Sequence, residues 1–379
     1  MITQLAPLAL AAAVFAACEP NQSVAEPRAA IQASRAAQLE DGERGPRAVY
    51  TITNQVAGNA VAVFARSADG TLTPAGSFAT GGTGTGAGFG SQGAVTLSND
   101  GRLLFAVNAG SNDVSVFGVG PQGLSLLGRT SSGGTLPISV TVSGNLVYVL
   151  NAGGSGNITG FTIDGAGALS PLAGSTKALS RAAPAPAQVS FSADGGELIV
   201  SEKGTSLLDV YPVDENGVAG ERTSFTSAGG TPFGFAVGSH NLVFVSEAAA
   251  PGSASSYRFT SIGSLQLVSG TVLTHQGAPC WAVVTKNGKF GYTANAQGGS
   301  ISGFSIDNDG AIALIDGDGR TAVVGGGNID LAVSGNSRYL YELNGNRSIS
   351  GFRIEADGHL TAVGNVAGLP ASTVGLVAR

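Results

Sequence analysis

A chain of 379 residues with 59 glycines, 43% hydrophobic and only 12% charged residues lacks the Glu, Lys and Arg that coat the solvent faces of helices, which excludes a mainly helical protein. The formal net charge of −6, with no basic cluster and no stacking aromatic residues beside one, excludes nucleic acid as a partner. The composition fits many short apolar strands joined by glycine-rich turns.

The first stretch, Ile2 to Ala17, is apolar and rich in small residues. It is shorter than the roughly 20 apolar residues that span a bilayer, and residues 1–18 read as a secretory signal. It ends Phe15-Ala16-Ala17-Cys18, small residues before a cysteine as in a bacterial lipobox, which marks Cys18 for lipidation after cleavage. The expectation is an exported protein in the periplasm or at the outer membrane or cell surface, touching membrane only through that anchor. Residues 19–47, rich in Ala, Pro, Gln and charge and broken by Pro20, Pro27 and Pro46, are expected to be a flexible linker. Cys280 is the only other cysteine, so no intramolecular disulfide holds the fold once Cys18 is lipidated or removed.

From Ala48 onward one pattern recurs. Its clearest copy is Gly93 to Arg102, then Leu103 to Asn108, then Ser111 to Phe117, with a further strand carrying Leu124, Leu126 and Leu127. Apolar alternation broken by Asn99-Asp100-Gly101 is the mark of hairpins, because Asp-Gly and Asn-Gly supply the positive φ that tight turns need. The third-strand signature returns as Ala60 to Phe64, Ile158 to Phe161, Leu208 to Tyr211, Ser255 to Phe259, Ile301 to Phe304 and Ile349 to Phe352. Four strands per unit, with no helical stretch for crossovers, predict an all-β protein, a seven-bladed β-propeller with four antiparallel strands per blade over residues 48–379. Ala48 to Ile52 reads as a second strand without an inner partner, and Ser372 to Ala378 as an inner strand with no blade after it. The C-terminal strand is therefore expected to join the N-terminal blade and close the ring. The segment Gly81 to Gly90 lacks the Gly-Lys-Ser/Thr ending of a phosphate loop and is expected to be the flexible passage from blade one to blade two. Asp307-Asn308-Asp309-Gly310 has no Glu at calcium-loop distance and reads as a hairpin turn.

The run Asp100 to Asn108, followed by Asn112 to Phe117, resembles the propellers of the lactonase family, which includes propeller-type 6-phosphogluconolactonases and carboxymuconate cyclases. The repeat is also similar to that of the Tyr-Val-Thr-Asn class of surface propellers. The resemblance covers nearly all of Ala48 to Arg379. It implies a lactonase-type hydrolase or a cycloisomerase in which His, Arg and Glu gather at one mouth, a cation holding the substrate carboxylate or phosphate and an acid/base group assisting ring opening or closure. Where family enzymes place these groups, this chain reads Ile138 at the start of blade three, Pro186-Ala187-Gln188 in place of Pro-Arg-His in blade four, and Asn295-Ala296 in blade six. The blade-four acid is kept, as Ser201-Glu202-Lys203.

The candidate catalytic residues are therefore Glu202 and His275, the latter in the connection from blade five to blade six that lines a mouth. Glu247 occupies the position of Glu202 in blade five, Glu342 lies at or near it in blade seven, and with Lys203 and Gln188 these form the candidate ligand-binding set. The bland alternative for the acids is that they end strands and face solvent. His240 and His359 fall in turns, and no His pair has zinc-ligand spacing, so neither metal nor cofactor is expected. Cys280, on an inner strand beside Trp281, reads as a buried small apolar residue rather than a nucleophile. Two functions stand open: a monomeric enzyme that opens or closes a small carboxylated lactone, and a non-catalytic envelope or cell-surface propeller that binds a small molecule, glycan or protein at its mouth.

Overall fold

In a computed structural model, which describes Met1 and residues 47–379 apart from Ile262 and Gly326, the chain forms seven antiparallel sheets arranged as the blades of a propeller. The expected signal, the expected lipidation site at Cys18 and all of the expected linker but Arg47 lie outside the described residues. The inner strands of blades two to seven are Val95–Leu97, Pro137–Ser143, Pro186–Phe191, Pro232–Val237, Pro279–Val284 and Asn328–Val333. Each is followed by three more strands running outward. The outermost strand of blades three and six is split in two, as Leu169–Pro171 with Lys177–Ala178 and as Ile312–Leu314 with Ala322–Val323.

Blade one is closed as the termini of the repeat imply. Its inner strand is Val374–Ala378, paired antiparallel with Ala48–Ile52 in the register Val49 to Ala378, Tyr50 to Val377 and Ile52 to Val374. The Arg379 amide donates to the Ala48 carbonyl at 2.8 Å, and Arg66 Nε donates to the Arg379 carbonyl at 3.0 Å. Closure gives Ala48–Ile52 a partner where it would otherwise present a bare edge, the usual liability of an antiparallel sheet.

The core lies between blades. In the second strands, alternate side chains face opposite neighbours: Val147 and Val149 pack toward blade two, and Tyr148 and Leu150 toward blade four. All four are fully buried. This is the period-2 alternation of a strand with both faces covered.

Two faces result. On one, the first and second strands are joined by hairpins such as Ser98-Asn99-Asp100-Gly101, whose Ser98 Oγ donates to Asp100 Oδ1 at 2.6 Å; Ser192 does the same to Asp194 at 2.7 Å. On the other, the inner strands start and the second strands end. There the residues before Pro137, Pro186, Pro232 and Pro279 (Leu136, Ala185, Thr231 and Ala278) all have φ between 48° and 59°. This left-handed kink points each carbonyl at the residue just past the second strand, so Leu136 accepts from the Ala152 amide and Ala185 from the Lys203 amide. The strain of such a conformation in non-glycine residues is held by the closed ring around it.

Candidate functional site

The second strands of blades two to seven end, on the strand-start face, at Asn108, Asn151, Glu202, Glu247, Asn295 and Asn344. All six are buried. The asparagines act as staples within their own blades: Asn108 Nδ2 donates to Asp113 at 2.7 Å and to Ser115 Oγ at 2.8 Å, and Asn295 Nδ2 to Ser300 and Ser302 Oγ at 3.1 and 2.9 Å. Glu202 and Glu247 occupy the same place with the polarity reversed, as acceptors. Glu202 takes the Ser180 amide at 2.8 Å, the Ser180 hydroxyl, and Thr205 Oγ1 at 2.6 Å. Glu247 takes Ser227 Oγ at 2.8 Å, the Gly229 amide at 2.7 Å, and the Ser253 and Ser255 hydroxyls at 2.7 and 2.9 Å. Neither faces solvent. Each ties the connection that precedes its blade's inner strand to the third strand, as in Glu247, or to the turn that leads into it, as in Glu202.

Glu342 sits two residues before the strand-end position, which Asn344 fills. By register it corresponds to Thr51, Ala106, Val149, Val200, Val245 and Thr293 of the other blades. It is fully buried, and among the described residues neither carboxyl oxygen has a hydrogen-bond partner. Burial alone pushes its pKa well above the usual carboxylate range.

In blade four the staple is altered again. Asp209 stands across from Val200, where Ser115, Thr159, Ser255, Ser302 and Ser350 stand elsewhere. It is buried, accepts from Ser224 Oγ at 2.5 Å and lies 3.5 Å from Arg222 Nε. Burial first, and then the Glu202 carboxylate beside it, push its pKa up to about 7. Two carboxyl groups thus stand where blade two has the pair Asn108 and Ser115.

The centre of this mouth is occupied by the glycine-rich connection. The expectation of a flexible passage is corrected: residues 81–93 are bonded along their length and cross the channel. Asn54 holds the first part, accepting the Thr85 amide at 2.9 Å and donating to the Ala87 carbonyl at 2.7 Å. Gly84 is required there, since a Cβ would lie 2.1 Å from the Asn54 carbonyl carbon. Ser91 Oγ donates to the Ile138 carbonyl in blade three at 3.0 Å, the Gln92 amide to Ala187 in blade four at 3.1 Å, and Trp281 Nε1 of blade six to the Ser91 carbonyl at 2.9 Å. The Gln92 carboxamide pairs with both backbone groups of Ala282.

Lys203 and Gln188 meet this strap and its supports. Lys203 Nζ donates to the Gly90 carbonyl and lies 4.7 Å from the centre of the Phe233 ring, which packs edge-on against Trp281. Burial lowers the Lys203 pKa. Gln188 is committed to blade five, donating to the Phe235 carbonyl at 2.9 Å and accepting its amide at 2.7 Å. Cys280 is buried beside Lys203, and burial pushes its thiol up to about 12, with the Lys203 charge acting the other way. A neutral thiol is not a nucleophile.

His275 is exposed, with φ of 56°, and none of the described contacts joins it to Glu202. The expected site residues are thus distributed: Lys203 at the strap, Gln188 between inner strands, the three acids inside or between blades, and His275 on the surface. Among the described residues, no three His, Cys, Asp or Glu side chains are gathered as for a metal ion. Sequence reasoning missed Gln92, Phe233 and Asp209. The signal for Asp209 was available, as an acid where five of the other third strands carry Ser or Thr and blade one carries Ala62.

The family model for the lactonases, described as a 7-bladed beta-propeller, matches residues 47–181 and 236–317, more than half of the chain. No curated protein matches the sequence. Among solved structures, a protein of Bacteroides fragilis provisionally assigned as a 6-phosphogluconolactonase is 20% identical with a TM-score of 0.71, over 88% of this chain and 98% of that one. A Lactobacillus plantarum protein is 18% identical with a TM-score of 0.72, over 88% and 99%. The periplasmic gluconolactonase of Pseudomonas aeruginosa is 17% identical with a TM-score of 0.69, over 86% and 98%. At these identities the likeness is one of fold.

Proposed function

The chain belongs to the lactonase family of seven-bladed β-propellers, and from that premise we propose that it is a non-catalytic member, a monomeric binding propeller of the cell envelope rather than a lactone-processing enzyme. The observation behind this reading is the strap: the mouth where the family resemblance puts a substrate holds the chain's own Ser91 and Gln92, bonded to blades three, four and six. The side chains that would act on a lactone are also committed or missing. Glu202 is filled by Ser180 and Thr205, and Ile138, Ala187 and Ala296 stand where the family's His and Arg are expected. The ligand is a small molecule, a glycan or a protein. Export belongs to the same proposal and rests on the signal-like Ile2 to Ala17; lipid attachment rests on the small residues before Cys18.

One observation favours the enzyme instead. Asp209, beside Glu202, has its pKa pushed up to about 7 by burial and by that neighbour, a value suited to acid/base chemistry near neutral pH. Hydrolysis by the purified protein across sugar-derived and carboxylated lactones decides between the two. The expected result is no turnover above the spontaneous rate. Turnover that disappears in Glu202→Gln and Asp209→Asn would overturn the binding proposal and establish a rebuilt active site.

A further inference from the structure

The hairpin face carries two adjoining cavities of about 430 and 270 Å³ that share Thr96, Leu97 and Asn99. One extends under the ends of the inner strands of blades seven and one, to Val333 and Val377; the other runs under blades three to five, past Thr141, Ser143, Ser190 and Val237. The larger is within the size range of small-molecule sites, about 300–1,000 Å³. Together they form the hairpin-side opening of the central channel, opposite the mouth that the strap crosses.

The polar groups here fall into two kinds. Some are spent on the fold: Ser98 and Ser192 bond the aspartates of their own hairpins, and Thr141 Oγ1 accepts the Phe191 amide at 3.3 Å. Among the described residues the side chains of Thr96, Ser143 and Asn99 have no hydrogen-bond partner, yet all three line the cavities. Neutral donors and acceptors therefore remain for a ligand. The nearby charges are engaged. Asp100 bonds Ser98 and pairs with Arg102 at 3.6 Å, Asp194 accepts from Ser192 and from the Gly196 amide at 3.0 Å, the Arg379 guanidinium donates to the Gly101 carbonyl, and Lys286, which lines the larger cavity, is not without a partner either. Between the polar groups stand the aliphatic Leu97, Val142 and Val377.

Free hydroxyl and amide groups, engaged charges and aliphatic patches match a ligand with many hydroxyls and C–H faces and no net charge. We propose that the hairpin-side mouth, around Thr96, Asn99 and Ser143, is a binding site for a neutral mono- or disaccharide. This deepens the binding function proposed above and rests on it, while assigning the ligand to the mouth opposite the one the family resemblance indicates.

The test uses the purified full-length protein and saturation-transfer NMR with glucose, N-acetylglucosamine, maltose and cellobiose, the affinity then being measured by calorimetry. At least one of these sugars is expected to bind. Thr96→Val combined with Ser143→Ala should weaken it about tenfold, the loss of two neutral hydrogen bonds. Asn99→Ala, at an exposed hairpin tip where folding is not at stake, should weaken it by a smaller factor. Binding of none of the four sugars, or binding that both variants leave unchanged, overturns the site. Lactone turnover would sink the non-catalytic reading independently of either result, so the two failures are distinguishable.

Discussion

Gln92 and Ala282 belong to blades two and six, yet the Gln92 carboxamide pairs with Ala282 as a neighbouring strand would: Nε2 donates to its carbonyl at 2.8 Å and Oε1 accepts its amide at 3.0 Å. The side chain is a two-bond patch on an inner strand that has no strand on its channel side. It comes so close that a Cβ on Gly234 would lie 2.0 Å from Gln92 Oε1, so the glycine in blade five is part of the same arrangement.

Replacing Gln92 with Ala removes both bonds and leaves an amide and a carbonyl of Ala282 without partners. A loss of about 2 to 4 kcal/mol in unfolding free energy is expected, read from urea denaturation. Water entering the channel to pair both groups would show itself as a loss well under 1 kcal/mol, contrary to the close fit described here.

Glu342 offers the opposite case. A Val, as in blades three, four and five, removes a buried carboxyl that has no partner. Glu342→Val is expected to stabilise the protein by about 1–3 kcal/mol, seen as a higher urea midpoint with an unchanged slope. Destabilisation would show that the carboxyl has a partner, such as an internal water.

Stability should fall as pH rises toward and past neutrality. The folded-state pKa values of Asp209, Glu342 and Asp330 (buried on the inner strand of blade seven, accepting the Leu331 and Leu376 amides) all lie above their unfolded values, Asp209 at about 7 against an ordinary 3.8. The folded state therefore holds more protons than the unfolded one between these limits. The corresponding stability is fully present below about pH 4 and is lost as pH rises through the folded values. The groups facing Asp209 are Glu202, Ser224, Arg222 and Tyr211. The melting temperature is expected to be higher at pH 5 than at pH 8. Asp209→Ser, the residue of other blades, should shrink that difference.

Cys280 should resist alkylation in the folded protein at pH 8 and react fully in urea, because its thiol is buried and held neutral. Rapid labelling of the native protein, followed by mass spectrometry, would mean that the mouth opens readily around Lys203 and Trp281.

The fold was legible because its signals are local. Asn99-Asp100-Gly101 or Asp307 to Gly310 specify a hairpin whatever surrounds them, and a lone second strand at Ala48 calls for an inner strand from elsewhere. The candidate site was only partly legible. Stacking Asn108, Asn151, Asn295 and Asn344 under Glu202 and Glu247 shows that the acids occupy a stapling position of the repeat, which removes the solvent-facing alternative. The strap could not be read at all. A run such as Gly81 to Gly90 has no periodicity; its path is set by Asn54 and, through the Ser91 and Gln92 that follow it, by partners in blades three, four and six up to 190 residues away in sequence.

Thr51 Oγ1 donates to the Val374 carbonyl across 323 residues of intervening chain, within the pairing that completes blade one. This contact sets an order on assembly. While the chain is being made, Ala48–Ile52 waits with one edge bare, because its partner Val374–Ala378 follows the strands of six further blades. Loop-closure entropy rises slowly with length, but the encounter is the most non-local in the protein, and slow folding follows from such topology. The half-made ring, rather than the finished one, is the form most exposed to pairing with another chain.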